Sequence, residues 1–414
     1  MFSVAWRGAT RRRGLRAATC GRIRVGCAMR SVELWTLVVF VAGLPAIAGG
    51  QGKPRGRELG VPFEGVAGAW NAITDVKGVE VGHTTLIRGE GVRTGVTAIL
   101  PRGKRSNDAV FAGWFSQNGD GEMTRTTWVE ESGFLDGPVM ITNTHSVGVV
   151  RDAVIAWQVK TGLKPKTNTY GAAFFSLPVV AETYDGRLND VNGFHVKPEH
   201  VFEALEGAQS GPVREGNQGG GTGMICYGFK GGIGTASRKL GEGSGGYTVG
   251  ALVQCNCGGR NQLVVAGVPV GRELAGTPVR SGKAVREEVE VGSIIIVIAT
   301  DAPLLPHQLK RMARRATMGL ARTGATSGNS SGDIFMAFST ANPDAARPVG
   351  VADLKMLPNN EMNDLFTATV EATEEAIVNA MVAAESMTGV GGQRVEALSQ
   401  EGLREALRKY NRLK

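Results

Sequence analysis

Histidine and cysteine are both scarce, with five of each in 414 residues. The histidines stand singly. His195 and His200 lack the spacing that puts two metal ligands on one helical face. His145 beside Ser146 is no triad by adjacency, because triad members come from separate segments. Two cysteines precede residue 30, which leaves Cys226, Cys255 and Cys257. An odd count sets up no disulfide framework, and Cys255-Asn256-Cys257 reads as buried small residues rather than a metal clip. No metal is therefore expected; no organic cofactor is expected either. Excess charge is missing too, once the leader is set aside. The net charge is +8, but residues 1–48 hold eight arginines and the single acid Glu33, so the rest of the chain carries only +1. The high isoelectric point is thus no argument for binding nucleic acid.

Long hydrophobic runs are absent as well. The longest, Leu34–Ala48, is too short for a comfortable membrane span. It follows Arg30 and ends in Ala46-Ile47-Ala48, the pattern of a secretory signal. Met29 offers an alternative start. Residues 1–50 are read as a leader, membrane contact is expected only through it, and the folded protein is expected in the periplasm or outside the cell.

What is abundant is glycine, 60 residues or about twice the usual share. The glycines lie between apolar strands and read as tight turns. Gly219-Gly220-Gly221-Thr222-Gly223-Met224 leads into more strand-like sequence, whereas a phosphate cradle would open a helix. Strands are expected around Ile73–His83 (with a turn at Lys77-Gly78) and at Thr94–Leu100, Val139–Thr142, Ala172–Val180, Tyr247–Gln254, Gln262–Pro269 and Ile334–Ser339. Helices are expected over Gly148–Lys160, Pro306–Arg322, about Met362–Met387 and about Val395–Tyr410. Gly271–Glu290 is polar and suits an exposed, cleavable loop.

The most informative stretch is Gly292-Ser293 followed by Ile294-Ile295-Ile296-Val297-Ile298. A cut between Gly292 and Ser293 would give one residue both a hydroxyl and a free α-amine. With a pKa of about 7.7–8.0, that amine is a general base near neutral pH without help from histidine.

From about Arg57 to Gly389 the chain resembles the L-aminopeptidase D-esterase and β-peptidyl aminopeptidase family. The carriers are Ala72-Ile73-Thr74-Asp75-Val76-Lys77-Gly78-Val79, Ile141-Thr142-Asn143-Thr144-His145-Ser146-Val147-Gly148, the glycine run 219–224, Gly292-Ser293, Ala299-Thr300-Asp301-Ala302-Pro303 and Gly328-Asn329-Ser330-Ser331-Gly332-Asp333-Ile334.

The resemblance implies an α+β fold, a four-layer αββα sandwich like that of N-terminal-nucleophile hydrolases but with different connectivity. It implies self-cleavage into an α-chain (51–292) and a β-chain (293–414), assembled as a homo-oligomer of α/β heterodimers. Ser293 matches the nucleophile and Asn261 the oxyanion donor. Ser331 and Asp333 match the polar pair at the new N-terminus. Glu182 matches the ligand for the substrate's ammonium, and Tyr184 a helper at the oxyanion. The activity implied is removal of N-terminal residues from short peptides, amides or esters. Two rivals are an autocleaving amino-acid acyltransferase, which would prefer amine over water as acceptor, and a non-enzymatic extracytoplasmic small-ligand-binding protein, whose chain would stay whole.

Overall fold

The computed structural model describes residues 53–166, 174–274 and 292–413. The leader expected over residues 1–50, and the loop expected to be cleavable beyond residue 274, lie outside the described residues. Along the chain, β1 (Glu80–Arg88) and β2 (Val92–Leu100) form a hairpin, followed by β3 (Val110–Ser116), α1 (Thr126–Ser132), β4 (Phe134–Leu135) and β5 (Val139–Asn143). Then come α2 (Val147–Thr161), β6 (Val179–Thr183) and α3 (Pro198–Glu206). A tight hairpin, β7 (Ile225–Cys226) and β8 (Phe229–Lys230), precedes β9 (Gly232–Lys239), β10 (Thr248–Asn256) and α4 (Val270–Glu273). The remainder is β11 (Ser293–Thr300), α5 (Pro306–Arg322), β12 (Ile334–Ser339), α6 (Asn363–Val382), the ribbon β13 (Met387–Thr388) and β14 (Arg394–Val395), and α7 (Gln400–Lys409).

The main strands form two sheets, ordered β1-β2-β5-β6 and β4-β3-β12-β11-β10-β9. Within them β5/β6 and β11/β12 are parallel, and the other pairs antiparallel. The period-2 alternation of a strand sorts side chains into layers. In β11, Ile294, Ile296 and Ile298 join a core shared with α5 and α6, through Leu309, Met312, Ala313, Ala376 and Ala380. Ile295, Val297 and Ala299 turn the other way and meet Val81, Ile99, Ile141 and Ala181 of the opposing sheet. The far side of that sheet is covered by α2 and α3 through Val150, Val154, Trp157, Val201 and Leu205. Three apolar cores between four layers make the expected αββα sandwich. Among the described residues no helix is long and apolar enough to cross a membrane.

Several local expectations need correction. The strand expected at Ala172–Val180 begins only at Val179, and residues 174–178 are irregular. Ile73–Asp75 is a 3₁₀ turn, curled because the Asp75 carboxylate accepts from the Trp70 and Ala72 amides. Gln262–Pro269 is no strand: a turn at Ala266-Gly267, both at positive φ, folds it back so that Val265 bridges Val268. The cysteines do pair. The β7–β8 hairpin brings Cys226 to Cys255, where they form a disulfide, with the buried Cys257 sulfur also within 4.8 Å. Parity alone could not show a bond between residues that only β10 and the hairpin bring together.

Two buried charges generate tests. Arg238, on β9, pairs with Glu371 at 3.2 Å and Glu375 at 2.9 Å on α6, and Arg57 holds both Glu375 oxygens. Removing one member strands the others in the core, so Glu375→Ala should cost about 3–5 kcal/mol, read as a lower urea midpoint at unchanged slope. Asp185, after β6, is fully enclosed and accepts from Asn189 Nδ2 at 3.0 Å. Burial pushes its carboxyl up from 3.8 to about 6. The native state therefore holds this proton more tightly than the unfolded chain. Stability from this group is greatest at low pH and falls as pH rises through the window between those values, by about 3 kcal/mol in all. Asp185→Asn should remove that slope from unfolding free energies measured across the window.

Candidate active site

At one end of the sandwich the strands open onto a cavity of about 410 Å³, walled in part by Asp120, Glu122, Thr144, Glu182, Tyr184, Arg187, Asn256 and Ser293. One wall is formed by Ser293, the first residue of β11. By alternation Ser293 shares the inter-sheet face with Ile295 and Val297, so its side chain enters the space between the sheets. Ser293 is nearly buried, and its Oγ accepts the Gly332 amide at 3.0 Å. The next amide, Ile294 N–H, donates to Asp333 Oδ1 at 3.2 Å. The start of β11 is therefore pinned by the loop that leads into β12.

That loop is itself fixed from the other side. Asn118 Oδ1 accepts the Asp333 amide at 2.7 Å, and the Asp120 amide donates to Ser331 O at 3.0 Å. Ser331 is fully buried, and its Oγ has no hydrogen-bond partner among the described residues. Gly332 and Gly121 cross in direct backbone contact. A Cβ on Gly332 would lie 2.5 Å from Gly121 Cα. Gly292 has the same constraint, since a Cβ there would meet the Asn256 carbonyl at 2.0 Å.

The opposite wall is acidic. Glu182, on β6, is 4% exposed, accepts the Glu122 amide at 3.0 Å and accepts the Thr144 hydroxyl. Burial raises its pKa above the usual glutamate range. The two hydrogen bonds oppose the shift, and the nearby Glu122 and Asp120 charges reinforce it. Such a carboxylate, with two more beside it, suits an ammonium group. Tyr184 is half-exposed at the rim, and its backbone carbonyl accepts Asn256 Nδ2 at 3.0 Å.

Ser293, Tyr184 and Glu182 thus line one cavity, with Ser331 and Asp333 directly behind it. Asn261 does not join them. It is exposed on the 3₁₀ turn Arg260–Gln262, outside the cavity lining. The side-chain amide that lines the cavity belongs to Asn256, paired across the β10–β11 ladder with Ser293. Its Oδ1 accepts the Ile225 amide at 2.8 Å, which fixes which end of the amide is the donor. Asn256 was hidden between two cysteines at a strand end, and the only signal for it is the strand register. Asp120, Glu122 and Arg187 lie on loops and carried no motif.

Comparison with known proteins agrees with this fold. The model of Peptidase family S58 matches residues 71–395. The beta-peptidyl aminopeptidase BapA of Sphingosinicella microcystinivorans is 55% identical over 377 residues, covering 87% of this chain and 93% of the relative. BapA of Sphingosinicella xenopeptidilytica is 49% identical, covering 89% and 94%. The solved L-aminopeptidase D-Ala-esterase/amidase from Ochrobactrum anthropi, described as a new variant of the Ntn hydrolase fold, superposes with a TM-score of 0.80. It is 49% identical and covers 87% of this chain and 100% of that one. With a family model spanning most of the folded residues, and relatives about half identical along nearly their whole length, this chain belongs to peptidase family S58 and is an aminopeptidase.

Proposed function

We propose that the protein is a self-processing serine aminopeptidase that removes N-terminal residues from short peptides, amides or esters. The observation that carries this reading is the placement of Ser293. It opens a buried strand, its Oγ is held by a backbone amide, and it faces a cavity whose opposite wall is acidic.

In the precursor, Ser293 Oγ attacks the Gly292 carbonyl carbon, and the C–N bond to Ser293 breaks as an ester forms. Water then cleaves that ester, leaving a Gly292 carboxylate and a free amine on Ser293. The same amine takes the proton of Oγ when a substrate carbonyl is attacked, and returns it to the leaving amine. Asp333, already on the neighbouring amide, orients the new ammonium, and Ser331 relays its proton. Asn256 Nδ2 gives one hydrogen to Tyr184 O and has a second for the oxyanion; one such donor is typically worth about 10²–10³ in rate. Glu182 receives the substrate's own ammonium, which restricts cleavage to N-terminal residues. Ionised Glu182 is needed for that contact, so its raised pKa lifts the acid limb of kcat/KM above the usual glutamate range.

Export through the leader, with the folded part in the periplasm or outside the cell, and assembly of several α/β heterodimers belong to the same reading. The run of exposed apolar side chains Val349, Val351, Leu354 and Met356 supports association of copies.

A denaturing gel and mass spectrometry of the mature protein should show two chains, the smaller beginning at Ser293. Ser293→Ala should give one uncut chain without hydrolysis; a processed or active Ser293→Ala protein refutes the mechanism. Asn256→Ala should lower kcat by about 10²–10³. Glu182→Gln should lower kcat/KM about ten- to a hundredfold, mostly through KM, as expected for losing a hydrogen bond to a charged group.

A further inference from the structure

The cavity is electrically lopsided. Asp120, Glu122 and Glu182 all line it, and Arg187 is the only cation among the described lining residues. Arg187 is exposed and forms no ion pair or hydrogen bond among the described residues. Other arginines of this protein are committed: Arg57 and Arg238 to Glu375, Arg55 to Glu215, Arg125 to Asp136. Three carboxylates share the cavity with Arg187 and none is paired with it. Its planar fork remains available to an arriving carboxylate, the group it matches bidentately.

The backbone beneath it is rigid. The Leu188 and Asn189 amides donate to Asp185 O at 3.0 and 2.9 Å, and Leu188, Asn189 and Asp185 are all buried. This turn holds Arg187 five residues beyond Glu182 on the same segment. An extended dipeptide spans only about 7 Å between its charged ends, from about 3.3–3.6 Å per residue. A ligand that short can leave its ammonium with Glu182 and its carboxylate within reach of a long side chain at the rim. The cavity volume also lies at the small end of the range for small-molecule sites.

We propose that Arg187 is a specificity-determining residue that selects substrates whose leaving group is a free amino acid, so that dipeptides are preferred over their C-terminal amides. This deepens the aminopeptidase reading above and rests on it. The carboxylate is remote from the bond that breaks, so the contact is made in ground state and transition state alike and appears in KM rather than kcat.

The test compares alanyl-alanine and β-alanyl-alanine, each as free acid and as C-terminal amide. For the processed wild type, kcat/KM should favour the acid by about tenfold, the lower end of what a hydrogen bond to a charged group gives. The preference should shrink as salt is raised, because the rim is exposed. Arg187→Gln should bring the acid-to-amide ratio to near one, chiefly through a rise in KM for the acid. Arg187→Lys should keep part of the preference. If the wild type shows no acid preference, or Arg187→Gln keeps it in full, the proposal is overturned while the aminopeptidase reading stands. If the wild type hydrolyses neither acid nor amide, the reading itself fails and this inference falls with it. The wild-type ratio and its salt dependence decide the matter even if a variant does not fold.

Discussion

β11 is buried along its whole length between β10 on one side and β12 on the other, and that pairing fixes everything in the cavity. Register sets Ser293 opposite Asn256, and alternation turns Ser293 toward the second sheet. A slip of one residue would send the hydroxyl into the helix-facing core and bring Ile294 into the cavity. The branched run after Ser293 prevents the slip, because each isoleucine and valine already fills a place in one of two dry cores. The precision of the site is thus inherited from hydrophobic packing several residues away.

The layered fold was legible in the sequence where pattern and punctuation agree. Pro306 and the spacing of Leu309, Met312, Ala313, Ala316 and Leu320 delimit α5 at Pro306–Arg322, as expected. β12 at Ile334–Ser339 likewise has the expected bounds. Legibility failed where a long-range partner decides the local shape. Ile73–Asp75 looks like strand, yet the Ile73 amide donates to Thr235 Oγ1 at 2.8 Å and Ser237 Oγ donates to Asp75 Oδ2 at 2.6 Å, which anchors it to β9 as a turn. The segment after Gln262 is apolar enough for a strand, yet among the described residues no neighbouring strand pairs with it. Asn261 and Asn256 show the same limit within the site. Both are asparagines near the end of β10, and only the ladder reveals which one is paired with Ser293.

Lys230 and Gln254, polar groups inside the sandwich, act as fasteners between segments. Lys230 is fully buried and donates to the carbonyls of Met224 and Gly231 at 2.8 Å and Gly221 at 3.3 Å, which staples the glycine run 219–224 to the β7–β8 hairpin. Burial lowers its pKa to about 7, without any facing carboxylate to oppose the shift. Gln254 reaches from one sheet to the other, donating to Thr142 O and to Thr183 Oγ1, each at 2.9 Å. The disulfide joins the same hairpin to β10. Together these links hold Ile225 and Gly228, which line the cavity, against the strand that carries Asn256.

The crossing of Gly121 over Gly332 has a consequence for how such a site can diversify. Two loops from distant parts of the chain touch there through bare main chain, and either one gaining a side chain would force them apart. That contact is closed to sequence change. The rim, where Tyr184 and Arg187 stand in solvent, is open to it. A scaffold of this kind can therefore change what it accepts by exchanging a few solvent-facing side chains, while the buried floor of the cavity stays the same.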